Sequence, residues 1–219
     1  MARRGYIPIG DHCCAAILGR ESGWRHKSYP FDWCVHVDEA NSSNLTINTD
    51  LIDLLLKSGS AELMLSHFLP SPPNEEQVGN EAQRNHVRFP HDKFWESRDQ
   101  HEKETAKYLR RTNRLLRDIL LGENDFIVVT RSFALAEDQL ARLEDLLLSF
   151  HSGSRLIYIT GTRLPKRTTI SKHPLQSFAH SIPWREGIPS YVDYTEAQYY
   201  QHDIAYWRQN VKECLAKYF

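Results

Sequence analysis

The 219-residue sequence contains no uninterrupted apolar run that approaches the about 18 residues a membrane-spanning helix needs. Its mean hydropathy of -0.55 is that of a soluble protein. The first apolar stretch, residues 6–9, is shorter than the hydrophobic part of a signal peptide. We therefore expect a cytoplasmic protein that does not associate with membranes.

The sequence also lacks a dominant charge. Its 27 Lys and Arg residues almost balance its 28 Asp and Glu residues, which gives a formal net charge of -1. Because a basic surface is what draws a protein to nucleic acid, we expect no nucleic-acid partner. The glycine-rich loops that hold nucleotide phosphates, G-x-G-x-x-G and G-x-x-x-x-G-K-[ST], do not occur, and we expect no cofactor.

Cysteine is scarce. The chain has four cysteines, which are Cys13, Cys14, Cys34 and Cys214. Four are few for a disulfide scaffold of this length, and without an export signal the expected state is the reduced thiol. Each cysteine is then a candidate nucleophile, metal ligand or buried apolar residue.

The sequence does contain enough apolar material for a core, with 41% hydrophobic residues. Two apolar, β-branched runs, residues 126–130 and 156–160, flank a helical pattern over residues 135–150. Strands that are apolar throughout and are separated by a helix are typical of a parallel sheet covered on both faces. We therefore predict an α/β fold, with a mostly parallel sheet flanked by helices.

The sequence has no internal repeat and no linker, so we predict a single domain over residues 1–219. Its catalytic-type core would cover residues 5–162, and a C-terminal helical extension would cover residues 163–219. Thr49 is predicted to cap a helix that ends near residue 59. The other predicted helices cover residues 61–67, 95–121 and 195–217, and residues 70–85 are predicted to form a long loop.

The chain starts with the pattern of a strand, a tight turn at Gly10 and a short helix that Gly19 is predicted to end. Cys13 falls near the start of that helix, where the helix dipole and backbone amides stabilise a thiolate. An imidazole such as that of His91 can accept and return the thiol proton. Cys14 is the alternative nucleophile, because successive helix residues point about 100° apart and only one thiol can face a given histidine.

Asp32 stands between two aromatic residues, in the segment Ser28-Tyr29-Pro30-Phe31-Asp32-Trp33. A carboxylate in such surroundings is partly desolvated and needs a partner, for example Arg25, a histidine or backbone amides. Two interpretations are open, a catalytic acid and an acid that only holds a structural loop. The candidate substrate-binding residues are Gly10, Cys14, Ser28, Trp33, Arg110 and Arg114.

A zinc site is a further possibility, because five residues of zinc-binding type lie close together in the sequence. They are His12, Cys13, Cys14, Cys34 and His36. Their spacing does not match that of ordinary zinc motifs, so we predict no bound metal. A zinc-stabilised interaction domain is kept as an alternative function.

Arg110, Arg114 and Arg117 recur at helical spacing and would share one face of a helix. Such a stripe can grip a phosphate or a carboxylate, although a salt-bridged surface is the other interpretation. With Trp33, Trp95 and Trp184, it suggests an alternative function as a non-catalytic binding module for an anionic or glycan ligand.

Several of these pieces, taken in order, resemble one known family, the bacterial and viral proteins classed as papain-like cysteine peptidases (domain of unknown function 1796). The resemblance covers roughly residues 6–160. The residues that carry it are the strand followed by Gly10-x-x-Cys13-x-x-Ala16, then Arg25-x-x-Ser28-x-Pro30-Phe31-Asp32-Trp33, then Phe89-x-His91-Asp92, then Tyr108-x-Arg110-Arg111-x-x-Arg114 and the strand 126–131.

The resemblance implies a Cys/His active site at Cys13 and His91, with Asp32 and Asp92 as the matching acids. It also makes a papain-like α+β fold the alternative to the parallel sheet. The leading prediction is therefore a thiol-dependent acyl-transfer enzyme that acts on a peptide or on an acyl- or amide-bearing small molecule. With water as acceptor it would be a cysteine peptidase or amidase, and with an amine it would be an amide-forming acyltransferase.

Overall fold

The structure of the chain is a computed structural model, which describes residues 4–10, 13–32, 35–36, 44–73, 87–89, 92–130, 135–161, 164, 176–182 and 197–219. The strands are β1 (Gly5–Pro8), β2 (Val35–His36), β3 (Val87–Arg88), β4 (Asn124–Thr130), β5 (Arg155–Thr160) and β6 (Ser177–Ser181). The helices are α1 (Cys14–Glu21), α2 (Asn44–Ser58), α3 (Ala61–Phe68), α4 (Arg98–Leu121), α5 (Glu137–Leu148) and α6 (Ala197–Leu215). Within these ranges, no helix has the length and apolarity that crossing a membrane requires.

Four strands form one sheet in the order β1-β4-β5-β6, and each neighbouring pair is parallel. Ile7 lies opposite Phe126, and Phe126 lies opposite Leu156. The short strands β2 and β3 form a separate antiparallel pair. The parallel sheet with flanking helices confirms the predicted α/β fold. A papain-like α+β arrangement, with its helix on an antiparallel sheet, does not describe these four strands.

Both faces of the sheet are covered, because successive side chains of a strand point to opposite sides. Along β4, Phe126 and Val128 pack into an apolar cluster with residues of α2, α3, α4 and α5. Ile127 and Val129 pack into a second cluster with residues of α1 and α6. All four side chains are fully buried. The apolar run in the sequence therefore reflects burial on two faces rather than on one.

The prediction that Gly19 ends α1 is wrong, because the helix continues to Glu21. Gly19 lies within the helix, where the ring of Tyr6 leaves no room for a side chain. A Cβ atom at Gly19 would lie 2.5 Å from Cε1 of that ring. The chain leaves the helical direction at Gly23, whose φ of 69° is in the left-handed region that favours glycine.

The predicted starts of two helices, α2 and α4, also differ from the structure. α2 begins at Asn44, and Thr49, the predicted cap, is buried inside the helix. Tertiary packing has here overridden the preference of threonine for helix starts. α4 begins at Arg98 rather than near Trp95, because the Ser97 hydroxyl accepts the N–H of Gln100 and so caps the helix.

The predicted C-terminal extension contributes two elements to the main fold. β6 pairs with β5 at the edge of the described sheet. α6 packs Trp207, Val211 and Leu215 into the cluster that α1 also joins, and the Trp207 indole N–H donates to the carbonyl of Ile182 at 2.9 Å. β6 therefore extends the sheet, and α6 covers the same sheet face as α1.

Candidate active site

The turn after β1 determines where Cys13 lies. The N–H of Ile9 donates to the carbonyl of Ile127 at 2.8 Å, which keeps the chain on the sheet for one residue beyond the strand. Gly10 follows, and its carbonyl accepts the side-chain N–H of Asn48 at 2.8 Å. Cys13 immediately precedes α1. It therefore lies at the carboxyl edge of the parallel strands, where open α/β sheets bind their ligands.

The two adjacent cysteines have different surroundings. Cys14 is 2% exposed and belongs to the apolar cluster that includes Tyr6 and Trp207. Burial raises the pKa of Tyr6, and the nearby Cys14 raises it further. Cys13 is also buried, but 9% of its surface is exposed to solvent, and it lies at the helix start. Of the two thiols, Cys13 is the one closer to solvent.

The two carboxylate oxygens of Asp32 differ in their hydrogen bonds to the described part of the chain. Its Oδ2 accepts the backbone N–H of Tyr29 at 2.7 Å and a guanidinium N–H of Arg25. Its Oδ1 is buried and has no hydrogen-bond donor among the residues that the structure describes. Burial raises the pKa of Asp32 to about 6, although Arg25 and the Tyr29 N–H act to lower it.

Arg25, the partner that the sequence suggested for Asp32, joins that acid to α1. Its Nη1 donates to the carbonyl of Ala16 at 3.1 Å, and its backbone N–H donates to the carbonyl of Gly19 at 3.0 Å. Both side chains of the ion pair are almost fully buried, at 4% and 0% exposure. The pair therefore holds the Asp32 segment against the helix that Cys13 begins.

Asp92 has both carboxylate oxygens occupied. Its Oδ1 accepts from Lys107 Nζ at 2.5 Å, and its Oδ2 accepts from the Tyr108 hydroxyl at 2.6 Å. Lys107 also forms an ion pair with Glu104, one turn earlier in α4. These contacts tie the Asp92 segment to α4 and leave the carboxylate no oxygen without a donor.

The arginines of α4 have separate partners. Arg114 Nη1 donates to the carbonyl of Ser28 at 2.8 Å, and Arg117 pairs with Asp118. Arg110 is exposed, whereas Arg111 lies over the ring of Tyr108 at 5.3 Å. The predicted stripe thus includes two arginines that already have partners within the protein, Arg114 in the Ser28 segment and Arg117 in its own helix.

Several predicted site residues lie outside the described residues, namely His12, Trp33, Cys34 and His91. His36 lies in β2, but its side chain is not described. In the part of the chain that the structure covers, no group of three or more His, Cys, Asp or Glu side chains is placed to hold a metal ion.

A cavity of about 570 Å³ lies at the opposite edge of the sheet, against the first residues of β1 and β4. Asp118 in its wall accepts hydrogen bonds from Lys27, Tyr29 and Arg117. Burial alone would raise the pKa of Asp118, but these three hydrogen bonds bring it below its usual value. The negative charge of Asp118 is therefore compensated by cations of the protein itself.

The chain was compared with family models, with curated proteins and with solved structures. Nothing matches in any of the three comparisons. The family resemblance thus rests on the motifs quoted from the sequence, and the chemistry of the site has to be argued from its own residues.

Two contributions to the site were not predicted. Asn48, which binds the Gly10 carbonyl, stands in a helix that the sequence pattern starts one residue later. Lys107 and Tyr108, which bind Asp92, lie 15 and 16 residues further along the chain. For Asn48, the available signal was an asparagine among the apolar residues of the helix. For the contacts of Lys107 and Tyr108 with Asp92, the spacing in the sequence gave no signal.

Proposed function

We propose that this protein is a thiol-dependent acyl-transfer enzyme in which Cys13 is the nucleophile. The observation that carries the proposal is the place of Cys13, which immediately precedes a helix at the carboxyl edge of a parallel sheet. A helix start stabilises a thiolate, and its backbone amides can stabilise the oxyanion that forms when sulfur attacks a carbonyl. Cys14 is a poorer nucleophile because it is enclosed in the apolar cluster around Tyr6.

In the proposed reaction His91 is the base and then the acid. The thiol proton passes to the imidazole, and sulfur bonds to the carbonyl carbon of the substrate. The proton then passes to the leaving amine, so that an acyl thioester at Cys13 and a free amine are formed. Attack on the thioester by water, or by an acceptor amine, forms the product and restores the thiol.

Asp32 is the proposed orienter of the imidazole, in preference to Asp92. A carboxylate that orients a histidine needs an oxygen to accept the imidazole N–H. Oδ1 of Asp32 has no donor among the described residues, whereas Lys107 and Tyr108 occupy both oxygens of Asp92. Burial raises the pKa of Asp32 to about 6, which leaves the acid mostly ionised at neutral pH, and in the ionised form both oxygens act only as acceptors.

The proposed substrates are peptides and acyl- or amide-bearing small molecules, as the family resemblance implies. Hydrolysis and transfer to an amine use the same three residues, so both reactions belong to the proposal. The alternative of a binding module for an anionic or glycan ligand has less support, since Arg114 and Arg117 are engaged with Ser28 and Asp118.

Iodoacetamide labelling tests the proposal, with each thiol followed by mass spectrometry. Cys214 is an internal reference, because burial raises the pKa of its thiol even though Lys217 acts to lower it. We expect Cys13 to react at least about tenfold faster than Cys214 at neutral pH. His91→Ala should slow Cys13, whereas Cys14→Ala should leave its rate unchanged.

Equal labelling rates at Cys13 and Cys214 would mean that Cys13 is not an activated nucleophile. If Cys13 is labelled as fast in His91→Ala as in the unmodified chain, His91 is not the base that activates the thiol. Incubation with an activated acyl ester gives a second readout, since the proposed enzyme should gain an acyl group at Cys13 that hydroxylamine removes.

A further inference from the structure

Asn48 is a polar residue at a fully buried position of α2. It is 0% exposed, and its neighbours Ile52 and Leu55 belong to the apolar core beside the sheet. Its Nδ2 donates to the carbonyl of Gly10 at 2.8 Å. Its Oδ1 is buried and accepts no hydrogen bond from any described residue.

These contacts do not explain the presence of an asparagine at position 48 by a gain in stability. Folding exchanges a hydrogen bond to water for the one to Gly10, so the net gain is small. No described residue supplies a donor to Oδ1, and leaving this oxygen buried and unpaired costs at least as much free energy as the bond to Gly10 contributes. Leucine has a similar shape and would remove the penalty of Oδ1, but it would leave the buried Gly10 carbonyl without its Asn48 donor. The two penalties are of similar size, so stability alone does not favour asparagine at this position.

The bond from Asn48 acts on the turn that carries the thiol. Up to Ile9 the chain is held by the sheet, and from Cys13 onward it is held by α1. Gly10 lies between these two supports. Asn48 joins its carbonyl to α2, whose side chains Ile52 and Leu55 are fixed in the core.

We infer that Asn48 is a positioning residue for the Cys13 thiol, which it acts on through the Gly10 carbonyl. The inference rests on the proposed function. Asn48 sets the path of the turn and hence the direction in which α1 presents Cys13. The buried Oδ1, to which no described residue donates, is the stability cost of placing an amide donor there. A residue that serves reactivity at the expense of stability is a common feature of functional sites.

Two variants separate positioning from structural support. Asn48→Leu keeps the shape, removes the penalty of the buried Oδ1 and leaves the buried Gly10 carbonyl without its Asn48 donor, so its thermal midpoint should stay close to that of the unmodified chain. Its rate of iodoacetamide labelling at Cys13 should fall by about 10-fold to about 100-fold at every pH, because small errors in placement have effects of this size. Asn48→Asp supplies a donor to the Gly10 carbonyl only while its carboxyl is protonated. The Cys13 labelling rate of this variant, relative to that of the unmodified chain, should therefore fall as the pH rises.

Asn124→Ala is the matched control. Asn124 is also buried, and its Nδ2 donates to the carbonyls of Asp118 and Gly122 at the opposite edge of the sheet. Its loss should lower the thermal midpoint and leave the Cys13 labelling rate unchanged. This result would show that destabilisation alone does not slow the thiol.

The possible failures are distinct. Slow labelling of Cys13 in the unmodified chain would overturn the proposed function, and this inference with it. A fast Cys13 in the unmodified chain that is equally fast in Asn48→Leu overturns the positioning role alone. If both Asn48→Leu and Asn48→Asp fail to fold, the amide is a structural requirement and the positioning role is also wrong.

Discussion

The guanidinium of Arg25 donates to the carboxylate of Asp32 in the interior of the protein, and neither side chain has appreciable contact with solvent. Each group is also tied to the backbone, Arg25 to Ala16 and Lys27, and Asp32 to Tyr29. The ion pair thus joins the segment that carries the acid to the helix that begins at Cys13.

Replacing Arg25 tests that connection. Arg25→Met leaves the Asp32 carboxylate buried without its cation, which costs about 3–5 kcal/mol when one partner of a buried pair is removed. We expect a loss of this size in urea unfolding at neutral pH, and a smaller loss near pH 4, where Asp32 is protonated.

Arg142→Met is the matched control, since Arg142 forms a largely exposed pair with Asp50. Its loss should cost no more than about 1 kcal/mol. Equal effects of the two substitutions would contradict the buried pair.

The pH dependence of stability tests the state of Asp32. Burial raises the pKa of Asp32 from 3.8 to about 6, against the opposing effects of Arg25, the Tyr29 N–H and Arg111. The folded chain then holds this proton more tightly than the unfolded chain. The contribution of Asp32 to stability is therefore complete below about pH 4 and is lost as the pH rises through about 6.

Comparison with Asp32→Asn isolates this effect. The stability of the unmodified chain relative to the variant should fall by about 3 kcal/mol between acid and neutral pH, because one pKa unit corresponds to about 1.4 kcal/mol. The measurement is urea unfolding of both chains at matched pH values. A difference that rises with pH would mean that the pKa of Asp32 is lowered rather than raised.

Gly19 provides a test of the packing between α1 and β1. A Cβ at this position meets the Tyr6 ring at 2.5 Å, so Gly19→Ala should cost about 1–3 kcal/mol through overpacking, despite the higher helix propensity of alanine. Thermal unfolding of the variant measures this cost.

Gly23→Asn is its counterpart, because Gly23 has open space around it and a positive φ that asparagine tolerates. Its stability should stay within about 0.5 kcal/mol of the unmodified chain. A Gly19→Ala chain that unfolds at the same temperature as Gly23→Asn would mean that the Tyr6 ring moves aside.

The elements that the sequence predicted best are those whose signal is local. The run 126–130 and the run 156–160 are strands because their residues are apolar and β-branched throughout, and that pattern is typical of strands with two buried faces. Gly19 and Thr49 were misinterpreted because each has a common local role, ending or starting a helix, that packing against Tyr6 or the core overrode. β6 was not predicted, since its five residues are mixed in polarity at a sheet edge.

The amino-acid sequence by itself determined that this protein has a parallel sheet between helices and a cysteine at the start of the first helix, because periodicity and chain order are properties of neighbouring residues. Only the tertiary structure decided that Cys14 joins the apolar cluster around Tyr6, while Cys13, which is also buried, keeps slightly more exposure. It also decided that both oxygens of Asp92 accept hydrogen bonds, while Oδ1 of Asp32 accepts none from the residues that the structure describes. Burial and hydrogen bonding depend on which groups meet in space, and the partners of Asp92 come from a helix that the chain reaches later.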